Sequence, residues 1–443
     1  MGQANHMQHV VSAEEAVSLV KSGDRIYLHE AAMTPTLLLE ALVARAEDLR
    51  GVTIESLHIE GPAPHVAPGL EESFRHVALF VGDNVREAVN DGRADYVPVF
   101  LSAIPQMVRH GALRPNVALL QVSPPDRHGF VRLGTSIACA RSAADTADVV
   151  IGLVNPQVPR TMGNSAVHVS RFAALVEHDV PLPTHRPVVP DDISRTIGEH
   201  VAELVQDQAT LQLGIGQIPD ATLACLGSRE GLGIHTEMFT DGVVDLIASG
   251  AVTNRNKSIF AGRVVTSFAV GSQRLYDFVD DNPMVEFHQS DIVNDIREIS
   301  RIRRMTAINS AIEIDITGQV VADSIGGRIH SGIGGQMDFV VGATMAPEGR
   351  SIIALPSTAR GGQHSRIVPE VKAGAGIVTT RGHVQWIVTE YGSVNLLGKS
   401  LRQRADLLCS VAHPDFRSDL RSAMVARHWS TPAASSASHP ADA

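Results

Sequence analysis

The sequence predicts an α/β protein of two tandem, similar modules with mainly parallel sheets and a site between them. Three observations carry this. A strand, small-residue turn and helix follow one another near residue 25 and again near residue 210; several strand-length runs are almost continuously apolar; and a proline cluster interrupts both periodicities near the middle of the chain.

In the first occurrence a helix over 13–21 precedes the strand Arg25-Ile26-Tyr27-Leu28-His29. The turn Glu30-Ala31-Ala32-Met33-Thr34-Pro35 and a helix over 36–43 follow. Proline suits a helix start because the N–H it lacks would be unpaired there in any case. In the second, Ile197, Val201, Leu204 and Val205 recur at helical spacing. The strand Thr210-Leu211-Gln212-Leu213 then runs through Gly214-Ile215-Gly216-Gln217-Ile218 and Pro219 into an apolar helix over 221–226. The repetition reads as a weak internal duplication. The runs 116–122 and 147–154 suit central strands buried on both faces. A strand over 383–389 and a helix over 401–411 close the second half. The expected division is 1–183 and 184–429, joined through the proline-rich stretch 181–187, with an Ala-, Ser- and Pro-rich tail, 430–443, expected to be disordered.

A chain of 443 residues is long enough for two or three such units, and two is the reading taken. The formal net charge of -11 argues against bulk attraction to nucleic acid or anionic membrane. An anionic ligand therefore calls for a local basic patch, with Lys257, Arg263, Arg360 and Lys372 as candidates. Cys139, Cys225 and Cys409 are odd in number and widely separated, which fits a reducing cytoplasm better than a disulfide framework or zinc knuckle. The first residues lack the features of a signal peptide, and no apolar run is of membrane-spanning length. No His-Glu-x-x-His or Gly-x-Ser-x-Gly occurs, so neither a metal nor a serine nucleophile is expected. Two further patterns fail on spacing. The glycine turns at 214 and 332 carry Pro219 and Met337 where a dinucleotide fingerprint needs its third glycine, and five residues instead of four separate Gly392 from Gly398-Lys399-Ser400.

The segment Ile234-His235-Thr236-Glu237-Met238-Phe239-Thr240-Asp241-Gly242 sets one carboxylate between a short apolar run and a helix start. On residue chemistry alone Glu237 is either a nucleophile or a solvated acid before a helix capped by Thr240 or Asp241. Gly214 and Gly216 either present backbone N–H donors or permit a tight turn. The loop Ser331-Gly332-Ile333-Gly334-Gly335-Gln336-Met337-Asp338 lets backbone approach an extended ligand closely. His29, His235 and His288 either shape a carboxylate pocket or are hydrogen-bonded structural histidines. Glu60 and Asp126 have weaker claims.

Taken in order, Gln121-Val122-Ser123-Pro124-Pro125-Asp126, His235-Thr236-Glu237-Met238, Glu286-Phe287-His288-Gln289-Ser290-Asp291, the Gly332 loop and Val388-Thr389-Glu390-Tyr391-Gly392 form a consistent set. Over nearly the whole chain it resembles the acetyl-CoA hydrolase/transferase branch of the family I coenzyme A transferases. That branch includes 4-hydroxybutyrate, butyrate and succinate CoA-transferases. The resemblance implies Glu237 as nucleophile and Gln212 and Gly214 as oxyanion donors; Gly335, placed in the second glycine turn, is a further candidate donor, and Gly216, Gly332, Gly334, Gly335, Gln336 and Asp338 are the residues expected to bind substrate or coenzyme A. It also implies a cytoplasmic homo-oligomer acting on acyl-CoA and small carboxylates. No tightly bound cofactor is implied, and coenzyme A is expected to serve as substrate and covalent shuttle.

In the implied chemistry the Glu237 carboxylate, ionised at neutral pH and needing no general base, attacks a thioester. An acyl-glutamyl anhydride and then a glutamyl-CoA thioester form in a ping-pong cycle. Acyl-CoA hydrolysis through the same glutamate is the alternative, and a non-catalytic effector-binding protein is the alternative of another class. Gln289, where relatives are expected to carry proline, and Gln217, where they are expected to carry a small residue, suggest an altered acyl pocket.

Overall fold

The computed structural model describes residues 10–186, 189–214 and 216–429. The expected tail 430–443, the chain start over 1–9, Pro187 of the expected linker and Ile215 of the first glycine turn lie outside the described residues.

Two open sheets dominate. The first holds seven parallel strands in the order Ala174–Glu177, Val149–Val154, Val117–Val122, Arg25–Leu28, Val52–Ser56, Phe74–Ala78 and Asp95–Tyr96. The second has the order Gly233–Ile234, Thr210–Leu213, Met305–Ser310, Arg350–Ala354, Trp386–Thr389 and Gly392–Asn395, parallel except for the last strand, which folds back on its neighbour. In both, the first strand of the module lies inside the sheet. In the first sheet the next three strands follow one another on one side of it and the remaining three are added in sequence order on the other; in the second sheet a single successor lies on one side and the later four are added on the other. This shared winding is the structural form of the duplication. It creates in each sheet a point where the winding reverses, and ligands of open α/β sheets bind beyond the carboxyl ends of strands at such points.

The periodic segments became elements of the expected kind, though the first helix ends at Val17 instead of running to residue 21 and the strand expected over 383–389 begins at Trp386. Every side chain of Val117–Val122 is buried, as a strand covered on both faces requires. The helix Ala13–Val17 begins on a capping box of Ser12 and Glu15, and Leu401–Val411 on one of Ser400 and Gln403, so each start satisfies two otherwise unpaired backbone donors. The helix after the second glycine-turn strand is Gln217–Cys225, beginning four residues before the expected start; Pro219 is accommodated because it stands in the first turn, where no N–H is needed. Gly392–Asn395 is an edge strand, so the phosphate-loop imitation is structural.

The modules are more closely joined than a linker between two cores implies. One buried apolar cluster includes Val122 and Leu175 of the first module with Leu211, Val264 and Ile352 of the second. The strand Met162–Gly163 pairs with Val285–Phe287, and isolated bridges join Phe100 to Gly334 and Ser136 to Phe268. The connecting stretch is itself tied down: Tyr276 donates its hydroxyl to the Pro183 carbonyl (2.7 Å), and the His185 N–H donates to the Gly271 carbonyl (2.9 Å).

Candidate active site

Loops beyond the carboxyl ends of strands from both modules enclose a cavity of about 1350 Å³. From the first module come residues after Val52–Ser56 and Phe74–Ala78, including His58, Glu60 and Phe80; from the second come Gly214, Gly216 and Glu237.

Glu237 stands between the two-residue strands Gly233–Ile234 and Met238–Phe239. Its backbone is held from several directions. The Glu237 carbonyl accepts from Ser267 N (3.0 Å) and Phe268 N (2.9 Å), while Thr236 Oγ1 accepts from Leu213 N (3.3 Å) and donates to the Leu213 carbonyl. The half-buried side chain projects into the cavity, where Asn294 Nδ2 donates to Glu237 Oε2 at 2.9 Å. The same Nδ2 lies 3.3 Å from Asp338 Oδ2, and Asp338 accepts from Ser102 Oγ (2.7 Å) and Ser102 N (3.2 Å). Two carboxylates thus share one amide.

Loss of solvation pushes Glu237 up to about 7, the Asn294 hydrogen bond opposes the rise, and the nearby Asp338 charge adds to it. Asp338 is likewise raised to about 6, first by burial, against the pull of its Ser102 and Asn294 hydrogen bonds. The expectation of a glutamate wholly ionised at neutral pH is therefore corrected: near pH 7 Glu237 is divided between acid and anion. A carboxylate poorly solvated in this way is a better nucleophile than one in water, and needs less desolvation before attack.

The sequence-predicted residues divide into groups. Glu237, Gly214, Gly216 and Gly334 line the cavity. Gly335 lies against the carboxylate, where a Cβ would fall 1.8 Å from Glu237 Oε2 and 2.1 Å from Asn294 Nδ2. Gly332 packs on Phe80, its Cβ position 2.8 Å from the ring. Gln336 is buried, with Nε2 donating to Thr379 Oγ1 (3.3 Å), and Asp338 stands behind Asn294 instead of facing a ligand. The Gln212 amide is exchanged reciprocally with Asn309 (3.2 and 3.1 Å) and lies outside the cavity wall. His235 bonds through Nε2 to the Val293 carbonyl (2.8 Å), and burial lowers its pKa to about 3, so it is a neutral structural histidine. His29 is buried between the Ser136 carbonyl and the Gln121 N–H. His288 pairs with Glu286 (3.1 Å), Asp126 organises its own turn through His128 N and Phe130 N, and Glu60 lines the cavity and meets His185 at 3.1 Å.

Other expectations fail. Lys257, Arg263, Arg360 and Lys372 form no patch on the cavity, and none of them lines it. Lys257 is buried, its Nζ donating to the Ile234 and Arg263 carbonyls (2.7 and 2.8 Å). Arg263 pairs with Glu286, Lys372 with Glu313, and Arg360 is exposed on a short hairpin. The arginines in the wall are Arg86, Arg186 and Arg274. Neither Gln289 nor Gln217 shapes the pocket: Gln289 Oε1 accepts from Ser142 Oγ, and Gln217 Oε1 accepts from Asp191 N and Ser194 Oγ. Reading the residues did not single out Asn294 or Ser102, since a lone amide or hydroxyl carries no spacing signal. The one pointer to Asn294 was its position just beyond the quoted 286–291 segment. Among the described residues no group of three or more His, Cys, Asp or Glu is arranged to hold a metal ion, and no helix is long and apolar enough to cross a membrane.

The model of the acetyl-CoA hydrolase/transferase N-terminal domain matches residues 2–189, and that of the C-terminal domain matches 271–424. The chain belongs to the acetyl-CoA hydrolase/transferase family. It is 43% identical over 415 residues to the 4-hydroxybutyrate coenzyme A transferase of Clostridium kluyveri, covering 94% of this chain and 97% of that one. It is 44% identical over 417 residues to the succinyl-CoA:acetate/propanoyl-CoA:succinate CoA transferase of Fasciola hepatica, covering 93% and 87%. Among solved structures, the 4-hydroxybutyrate CoA-transferase of Porphyromonas gingivalis superposes with a TM-score of 0.84 at 36% identity, covering 96% of this chain and 100% of that one.

Proposed function

We propose that the protein transfers coenzyme A from an acyl-CoA to a free small carboxylic acid, with Glu237 as the covalent relay. The observation that carries this is the position of the Glu237 carboxylate: it lines the cavity between the modules, is held by Asn294, and lies against the glycine backbone at Gly335.

In this reading a Glu237 carboxylate oxygen attacks the thioester carbonyl. The C–S bond breaks, coenzyme A leaves as the thiolate, and an acyl-glutamyl anhydride remains. The thiolate returns to the glutamyl carbonyl, breaking its bond to the bridging oxygen and releasing the first acid as carboxylate. The resulting glutamyl-CoA thioester is attacked by the second acid, and the same two steps run in reverse, regenerating Glu237. In the ionised fraction of Glu237 no proton need be moved by a separate base, because each nucleophile is then an anion. Coenzyme A is substrate and shuttle, and the acids are of the acetate, butyrate, 4-hydroxybutyrate or succinate class named by the relatives.

Backbone N–H groups at Gly214 and Gly335 are the proposed donors to the transient oxyanions, each worth a few kcal/mol at a fixed position. Gln212, committed to Asn309, supports the strand end that presents Gly214. Gly216, Gly332 and Gly334 provide close backbone approach for the ligand.

Steady-state kinetics test the reading. With acetyl-CoA or butyryl-CoA and a second carboxylate varied together, double-reciprocal plots should be parallel, since the first acid leaves before the second binds. Intersecting lines, or near-parental turnover by Glu237→Ala, would remove Glu237 from the reaction path.

A further inference from the structure

We infer that Ser102 and Asp338 are positioning residues for Glu237: the first module fixes Asp338 through Ser102, and Asp338 in turn aims the Asn294 amide and presents a negative charge to the nucleophile. The inference rests on the transferase reading and adds a device that sets the pH range in which the nucleophile is an anion.

The geometry is a chain of contacts across the module boundary. Ser102 lies in the short 3-10 turn Leu101–Ala103 of the first module and donates through both Oγ (2.7 Å) and N (3.2 Å) to Asp338. Asp338 is in the first turn of the helix Gln336–Met345 and is buried, with 2% of its surface exposed. Its Oδ2 takes the Asn294 Nδ2 that also serves Glu237. The turn bearing Ser102 is fixed on the same side by the Leu101 N–H, which donates to the Gly334 carbonyl (3.0 Å), and by Ser290 Oγ, which donates to the Leu101 carbonyl (2.8 Å). One first-module turn therefore sets the glycine loop and the acid behind Asn294 together.

An amide aimed at two carboxylates has only one favourable orientation, nitrogen toward both, whereas an amide facing one carboxylate and an apolar wall is less constrained. Consistent with this, Asn294 Oδ1 is buried without a partner, a cost tolerated while Nδ2 is held by two acids. The Asp338 charge is the ionised neighbour that raises Glu237, and the other charge raising Asp338 is Asp295. His235, preceding Glu237 by two residues, is neutral and contributes none. When Glu237 becomes a neutral anhydride or thioester the repulsion is relieved, so the pair favours leaving the anionic ground state.

The test is the pH dependence of kcat/KM for butyryl-CoA with acetate. Asp338→Asn keeps the shape and, through its one carbonyl oxygen, the contacts from Ser102 N and Asn294 Nδ2, while its NH2 donates to Ser102 Oγ in place of accepting from it; the charge is removed, so the acidic limb should move to lower pH by roughly one unit. Ser102→Ala should move it the same way by less, because an Asp338 oxygen deprived of its donor protonates more readily. Binding of butyryl-CoA, read as KM, should change less than kcat. An acidic limb unmoved in both variants would overturn the inference while leaving transfer through Glu237 intact; failure of Glu237→Ala to abolish transfer would instead overturn the reading beneath it.

Discussion

Glu237 illustrates how a side chain with an ordinary sequence context acquires unusual chemistry from its surroundings. Its neighbours His235 and Thr236 are spent on holding backbone, and the carboxylate is left with one amide donor and one repelling acid. Because its folded pKa, about 7, lies above the ordinary 4.5, the native state binds more protons than the unfolded chain between these values. The contribution of Glu237 to parent stability should therefore fall as pH rises from about 4.5 through 7. Glu237→Gln lacks this loss, so its melting temperature should exceed the parental value above about pH 7, with the difference closing below about pH 5. Paired thermal scans across pH check it, and a difference independent of pH would mean that Glu237 is not raised. At this scale the motif around Glu237 and the glycines was legible in the sequence. Asn294 and Ser102 were not, because their roles exist only when elements far apart in sequence meet. The proposed basic patch failed for a related reason: formal charge says nothing of whether a lysine such as Lys257 is buried against carbonyls.

Among the elements, the glycine loop before Gln336–Met345 shows what a missing side chain achieves. Gly335 has φ -99°, open to any residue, so glycine is required there by the carboxylate it faces and not by backbone strain. Gly335→Ala should fold with a melting temperature within a few degrees of the parent yet lose about 100-fold or more in kcat, since its Cβ must push Glu237 or Asn294 by more than 1 Å. Parental kcat in that variant would place the reacting carboxylate elsewhere. Long strands such as Val117–Val122 and capped helices such as Leu401–Val411 were readable from period and caps. The short pieces Gly233–Ile234 and Met238–Phe239 that aim Glu237 were not, because two residues carry no periodicity.

For the whole molecule, the repeated winding of the two sheets was foreshadowed by the repeated strand, turn and helix. The shared core and the pairing of Met162–Gly163 with Val285–Phe287 were invisible, since pairing between distant strands leaves no local mark. Such joining predicts that the halves depend on each other. Residues 10–186 and 189–429 produced separately should each lack a cooperative thermal transition, and co-expression should restore one together with transferase activity. Two independently cooperative halves would show that the common core contributes little.

Coenzyme A is proposed to reside covalently on Glu237 between half-reactions. Incubating the enzyme with acyl-CoA and no acceptor, then measuring intact and peptide masses, reads this directly. A mass increase equal to thioester-linked coenzyme A should map to the peptide containing His235 to Thr240, disappear on addition of acetate, and be absent from Glu237→Ala. An adduct on another residue, or full turnover with no adduct accumulating or trappable at Glu237, would contradict the account.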